Sequence, residues 1–171
     1  CTNVEIRCNG SVTIALSASI SVYNLNFTSE NNVLSVLHTA GRTLTINGDA
    51  NIDLHSTAID GSAVAIGEYS FFGAGIVDFK GNVTIGTNAA LSGSGKASYF
   101  LGNSNSKLIF RADLLLGRTN IISGSYRPGQ IIFDGIGLQE VLWNNNMYFS
   151  NFYDVIIGST NNPIVRHVTG T

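Results

Sequence analysis

Charge is scarce in this sequence. Only 12% of its 171 residues are Asp, Glu, Lys or Arg, about half the usual share. The nine Lys and Arg residues form no cluster and the net charge is −2, so the basic face that nucleic acid requires is missing. No apolar run approaches the roughly 20 residues of a spanning helix, and no secretory leader pattern is visible; the chain reads as a mature product or an excised fragment. Proline occurs twice and cysteine twice. Cys1 and Cys8 are the only sulfur pair, and the expectation is a disulfide closing a small N-terminal loop in an oxidising compartment. Hydrophobic residues nevertheless reach 44%, too many for a disordered chain. One domain's worth of core is available, and its surface must be covered mainly by Ser, Thr, Asn and Gly.

Those residues are arranged with period two. Residues 76–91, IVDFKGNVTIGTNAAL, hold a strand with Val77 and Phe79 inward, a turn at Lys80-Gly81-Asn82, and a second strand with Val83 and Ile85 inward. The phrase recurs as LTINGDANIDL at 44–54, LIFRADLLL at 108–116 and CNGSVTIAL at 8–16. Leu44, Ile46, Ala50, Ile52 and Leu54 face one way and Thr45, Asp49, Asn51 and Asp53 the other, with Asn47-Gly48 bending the chain between them. Val12, Ile14, Leu16, Ile20, Val22, Leu25 and Phe27 continue the pattern through a stretch with no charge, which disfavours a solvated helix and suits strands. Gly48 and Gly81 lie 33 residues apart. That spacing fits either one circuit of three short strands with an insertion or about one and a half circuits of roughly 20 residues.

A degenerate unit of short strands and tight turns is the signature of a parallel β-helix (β-solenoid). The expected fold is therefore all-β, a single solenoid domain over 1–171, with regular rungs to 130 and aromatic-rich rungs over 131–171. At roughly 20–30 residues per circuit, six to eight circuits are expected.

Two stretches carry a resemblance: GRTLTINGDANIDL at 41–54, and IIFDGIGLQEV followed by FSNFYDVII within 131–157. They resemble the repetitive β-helical segments of large secreted surface proteins and adhesins of Bacteroidetes-type bacteria. Phe133-Asp134-Gly135, Gln139, Val141, Phe149, Asn151, Phe152, Val155 and Ile157 match the cadence, whereas the Asn-rich stretch 143–147 departs from it. The resemblance implies a right-handed β-helix located outside the cell. Its motifs are packing motifs and specify fold better than function.

Catalytic apparatus is not expected. SGSGKA at 92–97 lacks the leading glycine (Ala90) and the Ser or Thr after Lys96 that a phosphate loop needs. Asp49-x-Asn51-x-Asp53 with Asp60 imitates a calcium loop, but Leu54 stands where its sharp-turn glycine belongs. His38, His55 and His167 show no ligand spacing, and no nucleophile elbow exists. The carboxylates are spread almost evenly, with Asp53 and Asp78 the one pair able to stack on neighbouring rungs. No cofactor, metal or catalytic residue is therefore expected, and Asn9, Asn26 and Asn82 match the glycosylation pattern in an Asn-rich chain. Trp143, Tyr148, Phe149 and Tyr153 form an aromatic group that reads either as a sugar-stacking platform or as a plug for the end of the stack. Two functions follow as expectations. The first is a non-enzymatic extracellular stalk or filament subunit that joins copies of itself head to tail, or further rungs of a longer chain. The alternative is an adhesin module that binds glycan or a host surface through its loops and C-terminal aromatics. Neither needs nucleic acid or membrane insertion.

Overall fold

The computed structural model describes residues 2–10, 12–29, 35–54, 63–67, 75–85, 97–101, 106–116, 130–143 and 154–169. These residues form seventeen strands and no helix. The strands form three sheets of seven, four and six, and every pairing is parallel.

The chain visits the sheets in a fixed order. β1 (Val4–Cys8) enters the seven-stranded sheet, β2 (Val12–Ala15) the four-stranded and β3 (Ile20–Val22) the six-stranded. The second circuit repeats this with β4 (Leu25–Ser29), β5 (Ser35–His38) and β6 (Thr43–Ile46), the third with β7 (Ala50–Leu54), β8 (Ala63–Gly67) and β9 (Ile76–Phe79). The fourth has β10 (Val83–Ile85), β11 (Ala97–Leu101) and β12 (Lys107–Phe110). From β13 (Leu114–Leu116) onward the described strands alternate between two sheets: β14 (Gln130–Phe133) and β16 (Asp154–Ile157) in the six-stranded, β15 (Leu138–Trp143) and β17 (Ile164–Thr169) in the seven-stranded. Each inner strand of a sheet pairs with its counterparts one circuit earlier and one later. Val83 faces Ala50 on one side and Leu114 on the other, so the 33-residue spacing is one whole circuit of three strands.

Alternation dictates this packing. In β6, β9 and β10 every second side chain is buried and those between are half-buried. The inward members stack in columns: Val22, Ile46, Phe79, Phe110 and Phe133 in the six-stranded sheet, and Leu25, Ala50, Val83, Leu114 and Val141 in the seven-stranded. All ten belong to one hydrophobic core. Phe79 and Phe110 lie parallel at 5.2 Å between ring centroids, and Phe110 and Phe133 stack at 5.7 Å with their planes 25° apart. Because all three sheets share one interior, the alternate side chains lie outside: Thr45, Asn51, Asp78 and Thr84 over the earlier circuits, Ile109, Leu115 and Leu142 over the later ones.

Val83 and Ile85 lie inward as expected, with Leu114 beside Val83, each at most 2% exposed; Thr84 is half-buried and Asp113 exposed. Leu116 continues the Ile85 column by register, and its side chain lies outside the described residues. Turns also lie at 39–42, 47–48, 80–82 and 111–113, the second and third where expected. In the first, Arg42 N–H donates to the Thr39 carbonyl at 2.9 Å while Ala40 and Gly41 take φ of 53° and 74°, a mirror-image tight turn. Three readings need correction. CNGSVTIAL at 8–16 spans a different corner, from the seven- to the four-stranded sheet, and is not a copy of the 76–91 unit. Ala97–Leu101, outside the units singled out by the repeat, is a strand. Among the described residues no disulfide is found: Cys8 is a buried free thiol, 5% exposed, because it follows Val4 and Ile6 on the inward side of β1 and packs into the core. Cys1 lies outside the described residues.

Candidate functional site

Over the first four circuits the corner between the six- and seven-stranded sheets brings the chain round in two or three residues. Glycine supplies the room. A Cβ at Gly81 would stand 2.3 Å from the Gly48 carbonyl oxygen, and one at Gly48 2.2 Å from Asn24 Oδ1. The next residue caps the following circuit. Asn24 Oδ1 accepts the Asp49 N–H at 2.8 Å, Asp49 Oδ1 the Asn82 N–H at 2.9 Å, Asn82 Oδ1 the Asp113 N–H at 3.2 Å, and Asp113 Oδ1 the Glu140 N–H at 2.8 Å. Amide and carboxylate alternate, which keeps the two aspartates two steps, or about 9.6 Å, apart and limits their repulsion.

Beside this ladder the outer face of the seven-stranded sheet is hollowed into a groove of about 750 Å³ lined by Asn3, Glu5, Asn24, Asn26, Asp49, Asn51, Asn82 and Thr84, with Val4, Leu25 and Ala50 between. A second hollow of about 290 Å³ shares Asn82 and Thr84 and runs on past Asp113, Leu115, Glu140 and Leu142. Register makes the far wall a second column, Glu5, Asn26, Asn51, Thr84, Leu115, Leu142. Asn51 Nδ2 donates to Asn26 Oδ1 at 2.9 Å. The walls are polar on both sides over the first four circuits, then polar opposite leucine over the last two.

The same corner holds an ionic clamp. Arg111 donates through Nε to Asp78 Oδ1 at 2.7 Å, through a second nitrogen to Asp78 Oδ2 at 3.3 Å, and through a third to Asp134 Oδ2 at 3.0 Å, tying three successive circuits. Asp134 is 1% exposed. Its other oxygen accepts the N–H groups of Ser159, Thr160 and Asn161 at 2.8–3.0 Å. Burial opposes its ionisation, yet the N–H donors of Asn161 and Thr160 outweigh burial and hold the carboxyl down at about 2. Arg111 is held above its ordinary value, chiefly by its hydrogen bonds to Asp78. Gln139 is 1% exposed and completes the corner, with Oε1 accepting Gly135 N–H and Nε2 donating to the Phe110 and Ala112 carbonyls at 3.0 and 2.7 Å. Asp134, Gly135 and Gln139, marked in the sequence as part of a cadence, thus serve the fold.

The remaining candidates scatter. Tyr148, Phe149 and Tyr153 lie outside the described residues; Trp143 contributes its backbone, paired with Leu116 and Thr169, and its side chain is outside them. Asp78 belongs to the six-stranded sheet and Asp53 to the seven-stranded, where it pairs with Thr28, so the Asp53–Asp78 stack does not form. Asp49 and Asn51 lie along one extended stretch on opposite walls of the groove, not wrapped around an ion; Asp60 is outside the described residues. Among those residues no group of three or more His, Cys, Asp or Glu could hold a metal. His38 ends β5 and His167 lies in β17, while His55 is outside the described residues. Of the three glycosylation candidates Asn9 is exposed, whereas the side-chain oxygens of Asn26 and Asn82 accept hydrogen bonds from Asn51 and Asp113. The groove escaped the sequence reading because outward Asn and Thr look like surface cover; its signal is the Asn/Asp alternation at the four corners.

The arrangement offers hydrogen bonds along a line and no converging nucleophile, base or metal set among the described residues. No family model, no curated protein and no solved structure matches this chain.

Proposed function

We propose that the chain is a right-handed β-solenoid and a non-enzymatic module of an extracellular stalk or filament, joined at its end faces to further rungs. The observation that carries this reading is the state of the end strands. β1, β2 and β3 are the outer strands of the three sheets at one end, and β16 and β17 those of two sheets at the other. Ile20, in line with the buried Leu44, is 41% exposed, and Val12 is 38% exposed. At the other end Val155 and Ile157, in register with the buried Ile131 and Phe133, are 53% and 59% exposed. Core columns and parallel strand edges therefore run out at both ends without a polar cover on these residues. Strand edges of this kind pair with further strands, and covering the columns recovers about 25 cal/mol per Å² of apolar surface. A second copy supplies matching columns head to tail, a contact that grows a fibre instead of closing.

Light scattering on the 171-residue chain tests this. Mass should rise with concentration, and Ile20→Lys with Val155→Lys, which charge the two end faces, should return the chain to a monomer. A wild-type chain that stays monomeric at high concentration would refute the reading.

A further inference from the structure

We propose that the groove on the seven-stranded sheet is a binding trough for an extended, uncharged β-1,4-linked glycan, aligned with the stack and read by the outward arms of Asn24, Asp49, Asn82 and Asp113. The site is separate from the end faces, so it does not rest on the assembly reading.

The ladder dictates which atoms face the groove. A backbone N–H can be accepted only by oxygen. Asn24 and Asn82 each give their single oxygen to the next circuit's N–H, so their NH2 groups are the arms left to the groove. Asp49 and Asp113 give Oδ1 and keep Oδ2. Asp49, Asn82 and Asp113 are exposed and Asn24 half-exposed. The wall therefore reads donor, acceptor, donor, acceptor, with a step of about 4.8 Å and a repeat of about 9.6 Å. Across the floor stand Asn26, Asn51 and Thr84, each able to donate and accept.

A ligand for such a wall is long, thin and hydroxylated, with about one residue per circuit and a two-residue repeat. An extended β-1,4-linked glycan has that form: each sugar is about as long as one step, and successive sugars are flipped, so the pattern repeats every second sugar. An extended peptide repeats every two residues in about 6.8 Å and falls out of step within one repeat. Charge narrows the choice further. Glu5, Asp49, Asp113 and Glu140 line the trough, and of these Glu5 and Glu140 are paired with Arg7 and Arg166. The two unpaired aspartates repel polyanions, including nucleic acid and acidic polysaccharides. Past Thr84 the far wall becomes Leu115 and Leu142, which suit the C–H face of a pyranose while Asp113 takes its hydroxyls.

The test is calorimetric titration of the 171-residue chain with cellohexaose, against maltohexaose, which has the same composition but an α-linked, curved chain. Cellohexaose should bind and maltohexaose should bind about tenfold or more weakly. Asp49→Asn is the decisive variant. It retains the oxygen that accepts Asn82 N–H, so the thermal midpoint should not move, but it turns the outward acceptor into a donor. Affinity should fall by about tenfold, the worth of one hydrogen bond to a charged group. Thr84→Val, outside the ladder, should weaken binding severalfold and keeps the test open should Asp49→Asn misfold. Folded wild-type protein that ignores cellohexaose, hexamers that bind equally, or Asp49→Asn and Thr84→Val variants that bind as wild type would each overturn the proposal.

Discussion

Replacing Phe110 by Ala attacks the middle of the aromatic column. The ring is 2% exposed and lies between Phe79 and Phe133 at 5.2 and 5.7 Å. Truncating a buried phenylalanine costs about 3–5 kcal/mol through lost transfer energy and the cavity left behind. Contact with two rings at once adds about 0.5–1.5 kcal/mol per pair beyond area, so the upper end is expected. The neighbouring circuits cannot close the gap, since their strands are held about 4.8 Å apart by the ladder bonds of β9, β12 and β14. Against a total of roughly 5–15 kcal/mol, such a loss is a large fraction. The internal control is Ile109→Ala on the same strand, whose side chain is half-buried on the outer face; it should cost about 1 kcal/mol. Urea unfolding followed by far-ultraviolet circular dichroism measures both. Because stacked circuits need not unfold in one step, amide exchange of β9, β12 and β14 should accompany it. If Phe110→Ala costs no more than Ile109→Ala, the column does not hold the circuits together and the reasoning fails.

Other perturbations reach the corner and the clamp. Gly81→Ala would place a methyl 2.3 Å from the Gly48 carbonyl oxygen, and the backbone must shift; a loss of about 2 kcal/mol or more in urea unfolding is expected, against near-neutrality for Gly10→Ala, where nothing lies within 4 Å. Asp134 is held at about 2 against an ordinary 3.8, so its contribution is complete above the ordinary value and disappears as pH falls from about 4 to about 2. Stability measured across that window should drop by on the order of 2 kcal/mol in wild type, and the Asp134→Asn variant should lack that part of the slope. Arg111→Met removes the partner of a buried carboxylate and should cost about 3 kcal/mol, more than Arg7→Met at the exposed Arg7–Glu5 pair, which should change stability by less than about 1 kcal/mol.

What could be read in the sequence was whatever repeats locally. Period-two alternation at 44–54 and 76–85 places Leu44, Ile46, Val77, Phe79, Val83 and Ile85 in the core, where they lie. The recurrence of the 76–91 phrase at 108–116 gave the register of two circuits, because a corner this tight tolerates few residue types. Circuit length was harder. The ladder bonds join residues 25, 33, 31 and 27 positions apart, since insertions at other corners change the count without disturbing the stack. Without those lengths the Arg111 clamp is invisible, for its partners lie 33 and 23 residues away. The groove was hidden for the same reason: Asn24, Asp49, Asn82 and Asp113 become a line only once their circuits are aligned. Composition also misled, since two cysteines suggested a bridge where alternation puts Cys8 inside.

Each circuit advances the chain by one strand spacing. Electron–electron distances between paired spin labels on the outer face test it directly. Glu5, Asn26, Asn51, Thr84, Leu115 and Leu142 stand in a single column. Labels at Glu5 and Leu142 are five steps apart and should give about 24 Å, and moving the first label to Asn26 should shorten the distance by about 4.8 Å. A Glu5–Leu142 distance beyond about 35 Å, or one that does not shorten with the circuit count, would contradict the stacked parallel register on which both the groove and the end faces depend.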